Sequence, residues 1–169
     1  MYIAENDSNF NISNENLNNM FEELLDLKSR SMRENLLFFG IKEDVGVFAN
    51  YGNTGASKAW DATLKVLLNI QSNEFTNPSK VLILGHLDFS DMMEKVKLLD
   101  QNNKKDITKA RKKVAKIDRY VTDLVYQIVK AGKTPIIIGG GHNNAYGNIK
   151  GLALAKGKAV NVVNFDKYS

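Results

Sequence analysis

Cysteine is absent from the sequence, which excludes disulfide bonds, zinc–thiolate sites and thiol nucleophiles. No apolar run approaches the roughly 18 residues that a membrane-spanning helix needs. The Asn-rich N-terminus also lacks the basic start and the apolar stretch of a secretory signal. We therefore expect a cytoplasmic protein that does not bind membranes, and the lack of cysteine is compatible with that reducing compartment.

The chain has 169 residues, 43% of them hydrophobic, which is typical of one domain or most of a larger one. Most of its net charge of +4 lies between residues 104 and 119. Apolar residues recur there at intervals of three and four, and the lysines fall on the opposite face of the implied helix. No aromatic side chain interleaves with these lysines to stack on bases. The pattern favours a solvated helix face and no nucleic-acid partner, with a nucleic-acid binder as the weaker alternative.

Four short apolar runs predict β-strands, at residues 35–41, 81–89, 134–141 and 159–166. Helical periodicity predicts helices at about residues 57–70, 107–131 and 145–157. This alternation predicts an α/β fold in which a parallel sheet carries helices on both faces. The predicted domain covers residues 35–169, and the polar segment 1–34, with one short helix, precedes it.

Both histidines of the chain lie at predicted strand ends, where parallel sheets bind their ligands. His142 follows three glycines, which let the backbone turn sharply and leave room beside the imidazole. Asp166 ends the next predicted strand. If the two strands are neighbours, these side chains project from one edge of the sheet, and imidazole with carboxylate suits manganese, iron or zinc. The spacing alone leaves a metal ligand and a loop histidine without function both open.

The glycine run 139–141 also has features of a dinucleotide-binding fingerprint, because it follows a strand and precedes a helix. That fingerprint requires glycine at its sixth position, where this chain has Asn144. The gap from Gly139 to Asp166 also exceeds the expected spacing of about 20 residues. A dinucleotide site is therefore disfavoured.

Several segments resemble motifs of the arginase superfamily of ureohydrolases. PIIIGGGHNNAYGNIKG, residues 135–151, resembles the strand and glycine turn that carry the first metal ligand of that family. VNVVNFD, residues 160–166, is similar to the strand that leads into the family's Asp-x-His-x-Asp motif. Residues 38–60 and 81–91 resemble the formimidoylglutamase branch in particular. The resemblance extends over residues 36–166, which is most of the chain.

The resemblance implies a three-layer α/β/α sandwich around a parallel sheet and a pair of Mn2+ ions as cofactors. It implies hydrolysis of a small-molecule amidine or guanidino substrate, with formimidoylglutamate, cleaved to glutamate and formamide, as the closest match. Arginase or agmatinase activity is the alternative. Carried over by position, His142 ligates one metal ion and Asp166 bridges both.

The resemblance identifies no further catalytic residue. It places Asn50 and Tyr51, together with Glu43 and Asp44, in a loop that could shape the substrate pocket, although structural roles fit them equally well. His86 and Asp88 match none of the family's ligands, and we interpret them as strand-end structure.

After Asp166 the sequence departs from the family pattern, in which a histidine and a second aspartate follow. Tyr168 stands at the histidine position, and a phenol with a pKa of about 10 stays protonated. Lys167 places an ammonium group beside the expected cations, which is repulsive. We therefore expect an incomplete domain, truncated after about four strands, without useful hydrolase activity. The alternative is a non-catalytic arginase-fold remnant or subunit. Association of the chain into a homo-oligomer is left open.

Overall fold

A computed structural model of the protein describes residues 2–3, 36–74 and 77–165. Within them, parallel strands form one sheet in the spatial order β1-β3-β2-β4. The strands are β1 (Tyr2–Ile3), β2 (Leu36–Lys42), β3 (Val81–Asp88) and β4 (Thr134–Ile138). The α-helices are α1 (Val45–Ala49), α2 (Ala59–Leu67), α3 (Ser90–Lys97), α4 (Lys104–Lys130) and α5 (Asn144–Lys156). Short 3-10 helices span Ala56–Lys58 and Pro78–Lys80.

One face of the sheet packs against α4 and forms the main core. Alternate residues of a strand point to the same face, and Leu37, Phe39 and Ile41 of β2 are buried there. The apolar stripe that the sequence shows on α4 meets them. Its buried residues are Ile117, Val121, Leu124, Val125 and Ile128. The basic residues of α4 are left on its outer face, as the helical spacing predicts.

The opposite face of the sheet is covered by α2. Gly40 of β2 points away from the α4 side, and the buried side chain of Trp60 from α2 lies on it. Helices therefore cover both faces of the parallel sheet, which confirms the predicted α/β/α arrangement.

Two glycines bring α5 close to α4. A Cβ atom at Gly147 would lie 2.8 Å from Cβ of Val121, and one at Gly151 would lie 2.6 Å from the carbonyl oxygen of Thr122. Any larger side chain at either position would push the two helices apart. This close packing sets the position of α5 and of the turn that precedes it.

Most of the predicted elements form, with shifted ends. The third predicted strand stops at Ile138 instead of Gly141, because Gly139 and Gly140 take positive φ angles of 86° and 74° that leave the β region. The long helix begins three residues early, where Asn103 caps it by accepting a hydrogen bond from the backbone nitrogen of Lys105 at 2.9 Å. The short helices α1 and α3 were not predicted, and neither was β1.

The predicted strand at residues 159–166 is wrong over the residues that the structure describes. Residues 159–165 form no strand, and Val163 and Phe165 are 78% and 95% exposed. A strand is stabilised by its ladder hydrogen bonds and cross-strand side chains, and this segment pairs with no strand in the described part of the chain. The apolar composition of this segment alone is not sufficient to form a strand. The helix predicted near residues 17–27 lies outside the described residues.

None of the helices in the described ranges is long and apolar enough to cross a membrane.

Candidate functional site

The strands β2, β3 and β4 end at one edge of the sheet and bring three chain segments together there. In the parallel register, Gly40 of β2 is paired with both His86 of β3 and Ile138 of β4. The residues that follow each strand therefore meet at this carboxyl edge, as the sequence predicts. The turn after β4 carries His142.

Glu43, directly after β2, is fully buried at this edge and makes its main contacts with the turn after β4. Its Oε1 accepts hydrogen bonds from the backbone nitrogen of Gly141 and from Nδ2 of Asn144, each at 2.8 Å. Its Oε2 accepts from the backbone nitrogen of Gly46 at 2.9 Å, in the first turn of α1. One carboxylate thus ties together α1, the glycine turn and the start of α5.

The sequence placed Glu43 in the loop that could shape the substrate pocket and left a structural role equally open. One local signal was available, since an acidic residue three positions before an N-terminal helix residue can accept its backbone N–H. That pattern accounts for the bond to Gly46. The contacts with Gly141 and Asn144, which are 98 and 101 residues away, have no local signature.

Asp44 anchors the loop that leads to α2. Its Oδ1 accepts from the backbone nitrogens of Gly55 and Ser57 at 2.9 and 3.2 Å, and its Oδ2 accepts from Oγ of Ser57 at 2.6 Å. Burial raises the pKa of Asp44, but the hydrogen bonds from Ser57, Gly55 and Ala56 outweigh it and hold the pKa below its ordinary value. These contacts give Asp44 a structural role in the loop, which is one of the two roles that the sequence left open.

A cavity of about 580 Å³ lies between α1, α4 and the turn after β4. Its lining includes His142, Asn143 and Asn50, together with Arg111 and Asp118 of α4. Imidazole, amide, guanidinium and carboxylate groups thus surround one space beside the carboxyl edge of the sheet. Such a set of convergent polar groups can bind a small polar molecule.

Asp118 is an acid beside this cavity whose pKa is raised. Burial raises the pKa of Asp118, the nearby negative charge of Glu43 raises it further, and Lys150 opposes both. Its Oδ1 is buried and has no hydrogen-bond partner among the described residues. The charged form of this carboxyl is therefore disfavoured in the folded protein.

The structure brings together some of the residues predicted for the site. His142 is exposed and shares the cavity with Asn50. Tyr51, in contrast, is 59% exposed, has a φ of 61° and is not part of the cavity lining. Asp166 lies outside the described residues, so its predicted meeting with His142 remains a prediction.

His86 and Asp88 lie in β3 and behave as the structural residues that the sequence suggests. Oδ1 of Asp88 accepts from the backbone nitrogen of Ser90 at 2.8 Å, at the start of α3. Burial lowers the pKa of His86, the charge of Lys42 lowers it further, and Asp88 and Asp61 oppose these effects. Half-buried His86 therefore favours the neutral imidazole.

The described residues contain no group of three or more histidine, aspartate and glutamate side chains placed to hold a metal ion. Of the predicted ligands, only His142 falls within the described ranges. This part of the chain does not form a complete metal site by itself, so no reaction step through a metal follows from its geometry.

Comparison with known proteins identifies the family. The model of the arginase family matches residues 36–167, which is most of the chain. Three relatives have the name formimidoylglutamase. The protein from Chromobacterium violaceum is 36% identical over 64 residues, 37% of this chain and 21% of the relative. The protein from Hahella chejuensis is 25% identical over 130 residues, 74% of this chain and 33% of the relative.

The third relative, from Corynebacterium efficiens, is 35% identical over 48 residues, 28% of this chain and 15% of the relative. The matches with these three relatives cover at most 33% of their own length. No solved structure matches the chain significantly. The family match includes β2, β3 and β4 and the turn that carries His142. The chain therefore belongs to the arginase family.

Proposed function

We propose that this chain carries the N-terminal part of a hydrolase that cleaves formimidoylglutamate to glutamate and formamide. The observation that carries the proposal is the position of His142, which is exposed after the glycine turn of β4 and lines the cavity between this turn, α1 and α4. This turn lies within the segment that matches the arginase family. The names of the three relatives favour the formimidoyl substrate over a guanidino substrate.

The proposal includes dependence on Mn2+, with His142 and Asp166 as ligands from this chain. A bound divalent metal lowers the pKa of a coordinated water and so supplies hydroxide near neutral pH. The imidazole of His142 lies at the cavity after the glycine turn, and other residues of this chain line the space beside it. Asn50 lines the same cavity, which supports its proposed contact with the substrate. Tyr51 lies outside this cavity, and the structure gives no support to its proposed substrate contact.

We expect the 169-residue chain alone to bind Mn2+ weakly and to have no useful activity. A divalent transition metal needs several protein ligands to compete with water, and the described residues offer no group of three. Binding can still be observed at the imidazole. Because the chain has only two histidines, His86 provides an internal control for His142.

The first test is NMR of the imidazole signals during addition of Mn2+, whose unpaired electrons broaden nearby resonances. We expect broadening of the His142 signals at lower Mn2+ concentration than the His86 signals, and the variants H142A and H86Q assign each signal. Equal broadening of both, or none at His142, would contradict the metal site.

The second test concerns the reaction. A chimera that joins residues 1–166 to the remaining sequence of the Hahella relative should release formamide from formimidoylglutamate when Mn2+ is present. Urea release from arginine or agmatine would instead favour the arginase or agmatinase alternative. A folded chimera that releases neither product would overturn the hydrolase proposal, and H142A in the active chimera should abolish the release.

A further inference from the structure

The turn that carries His142 begins with glycines, which cannot fix the position of the histidine by themselves. Gly139 and Gly140 have φ angles of 86° and 74°, where residues other than glycine are strained. Glycine also has the largest backbone freedom in the unfolded chain and no side chain with which to pack. Without other contacts, the position of His142 would therefore be poorly defined.

The carboxylate of Glu43 supplies these contacts from β2. It occupies space beside Gly140, where an added Cβ atom would lie 3.3 Å from its Oε1. Its bonds to Gly141 and Asn144 lie on either side of His142 along the chain. Glu43 thus holds the backbone just before the histidine, at Gly141, and the side chain of Asn144 two residues after it.

Only a carboxylate meets the hydrogen-bonding needs at this position. All three contacts of Glu43 come from N–H donors, and both of its oxygens accept. An amide side chain would replace one oxygen by an NH2 group, which cannot accept. It would therefore face at least one of these donors with another donor. An apolar side chain would remove the acceptor of the backbone nitrogens of Gly46 and Gly141 and leave Nδ2 of Asn144 with its bond to the carbonyl oxygen of Gly141 alone. Each buried donor without a partner is costly.

We propose that Glu43 is a positioning residue that orients His142 for binding. The carboxylate sets the backbone of the turn, and the turn sets the direction of the imidazole into the cavity. The effect of Glu43 on metal binding rests on the proposed function, whereas its effect on the turn does not.

The test compares the full chain with its E43Q variant, which keeps the shape of the side chain and changes one acceptor into a donor. Amide hydrogen exchange reports the local opening of the turn. We expect exchange at Gly141 and His142 to become faster by about tenfold, since one charged hydrogen bond is lost. Exchange at Val121, in the core of α4, serves as the reference for global stability.

The imidazole signals of His142 give a second readout, which a purely structural role of Glu43 would leave unchanged. In E43Q we expect them to shift, while the signals of His86 stay in place. The dissociation constant for Mn2+ should rise by about tenfold, in the range typical for partners that orient metal ligands. E94Q is the matched control, because Glu94 is exposed and forms an ion pair with the exposed Lys97. It should change neither readout.

A folded E43Q whose turn exchange and His142 signals equal those of the unaltered chain would overturn the proposal. Equal acceleration at Gly141 and Val121 would overturn it as well, because Glu43 would then contribute to global stability alone. Should E43Q not fold, N144A removes the bonds from Nδ2 to Glu43 and to the carbonyl oxygen of Gly141 without adding a donor. Unchanged exchange at Gly141 there would overturn the proposal. If the unaltered chain binds no Mn2+, the proposed metal site fails while the exchange data still decide the role of Glu43.

Discussion

The indole ring of Trp60 lies directly on the backbone of Gly40, on the face of β2 opposite the main core. A Cβ atom at Gly40 would overlap the ring carbon Cγ of Trp60 and lie 2.8 Å from its Cβ. The glycine therefore makes room for the largest buried side chain of the described residues, and α2 can pack flat against the sheet.

Replacement of Gly40 by alanine should lower the free energy of unfolding by about 1–3 kcal/mol, because it overpacks this contact. Chemical denaturation followed by far-UV circular dichroism measures the change, because this signal does not depend on Trp60, the only tryptophan. In the background W60L the same substitution should cost less, since the smaller side chain can move away. An equal cost in both backgrounds would show that Trp60 is not the cause.

Loss of the Asp44 carboxylate in D44N should destabilise the protein by about 1–3 kcal/mol at neutral pH, because donors of the 55–57 turn lose a charged acceptor. D61N is the matched control. It removes the ion pair between the exposed Asp61 and Lys42, so its cost should not exceed about 1 kcal/mol. Similar losses in the two variants would contradict the anchoring role of Asp44.

The cost of D44N should depend on pH. The pKa of Asp44 is lower in the folded protein than its ordinary value of 3.8, so its charge stabilises the fold above that value. The contribution is lost as the pH falls through the folded pKa. Stability curves of D44N and the unaltered chain should therefore converge only in acid, below about pH 4.

The variant D118N should be more thermostable than the unaltered chain at about pH 7. The pKa of Asp118 is raised in the folded protein, so the stability linked to its proton is present below 3.8 and lost as the pH rises through the folded value. Asparagine does not ionise, so the variant does not lose this stability as the pH rises. Thermal melts should show an advantage at neutral pH that disappears by about pH 4. A lower melting temperature at neutral pH would mean that the Asp118 charge is stabilising.

His86 should titrate below 6.5 in the folded protein, because burial and the charge of Lys42 lower its pKa. NMR titration of its imidazole in K42Q should give a higher pKa than in the unaltered chain. D61N should shift it in the opposite direction, because Asp61 raises the pKa. His86 has a higher pKa in the unfolded chain, so the unfolded chain binds this proton at a higher pH than the folded protein does. The stability linked to His86 should therefore fall as the pH falls below about 6.5. Shifts of the same sign in both variants would contradict these causes.

Local patterns predicted the elements whose signals are long and regular. The apolar stripe of α4 and the apolar runs of β2, β3 and β4 each lie within one element. A few neighbouring residues are therefore sufficient to predict the type of that element. The helices α1 and α3, with five and eight residues, are too short to show a clear period. The run 159–165 has strand-like composition, but a strand requires a partner that composition does not supply.

The sequence by itself determined the alternation of strands and helices, the family resemblance and the choice of His142 as a candidate ligand. These features depend on local periodicity and on a contiguous motif. Only the tertiary structure decided that Glu43 is buried against Gly141 and Asn144, and that Asn50 shares a cavity with His142. Such contacts join segments about a hundred residues apart, and they form only after the sheet and the pair α4–α5 have packed, because no local pattern specifies which distant groups will meet.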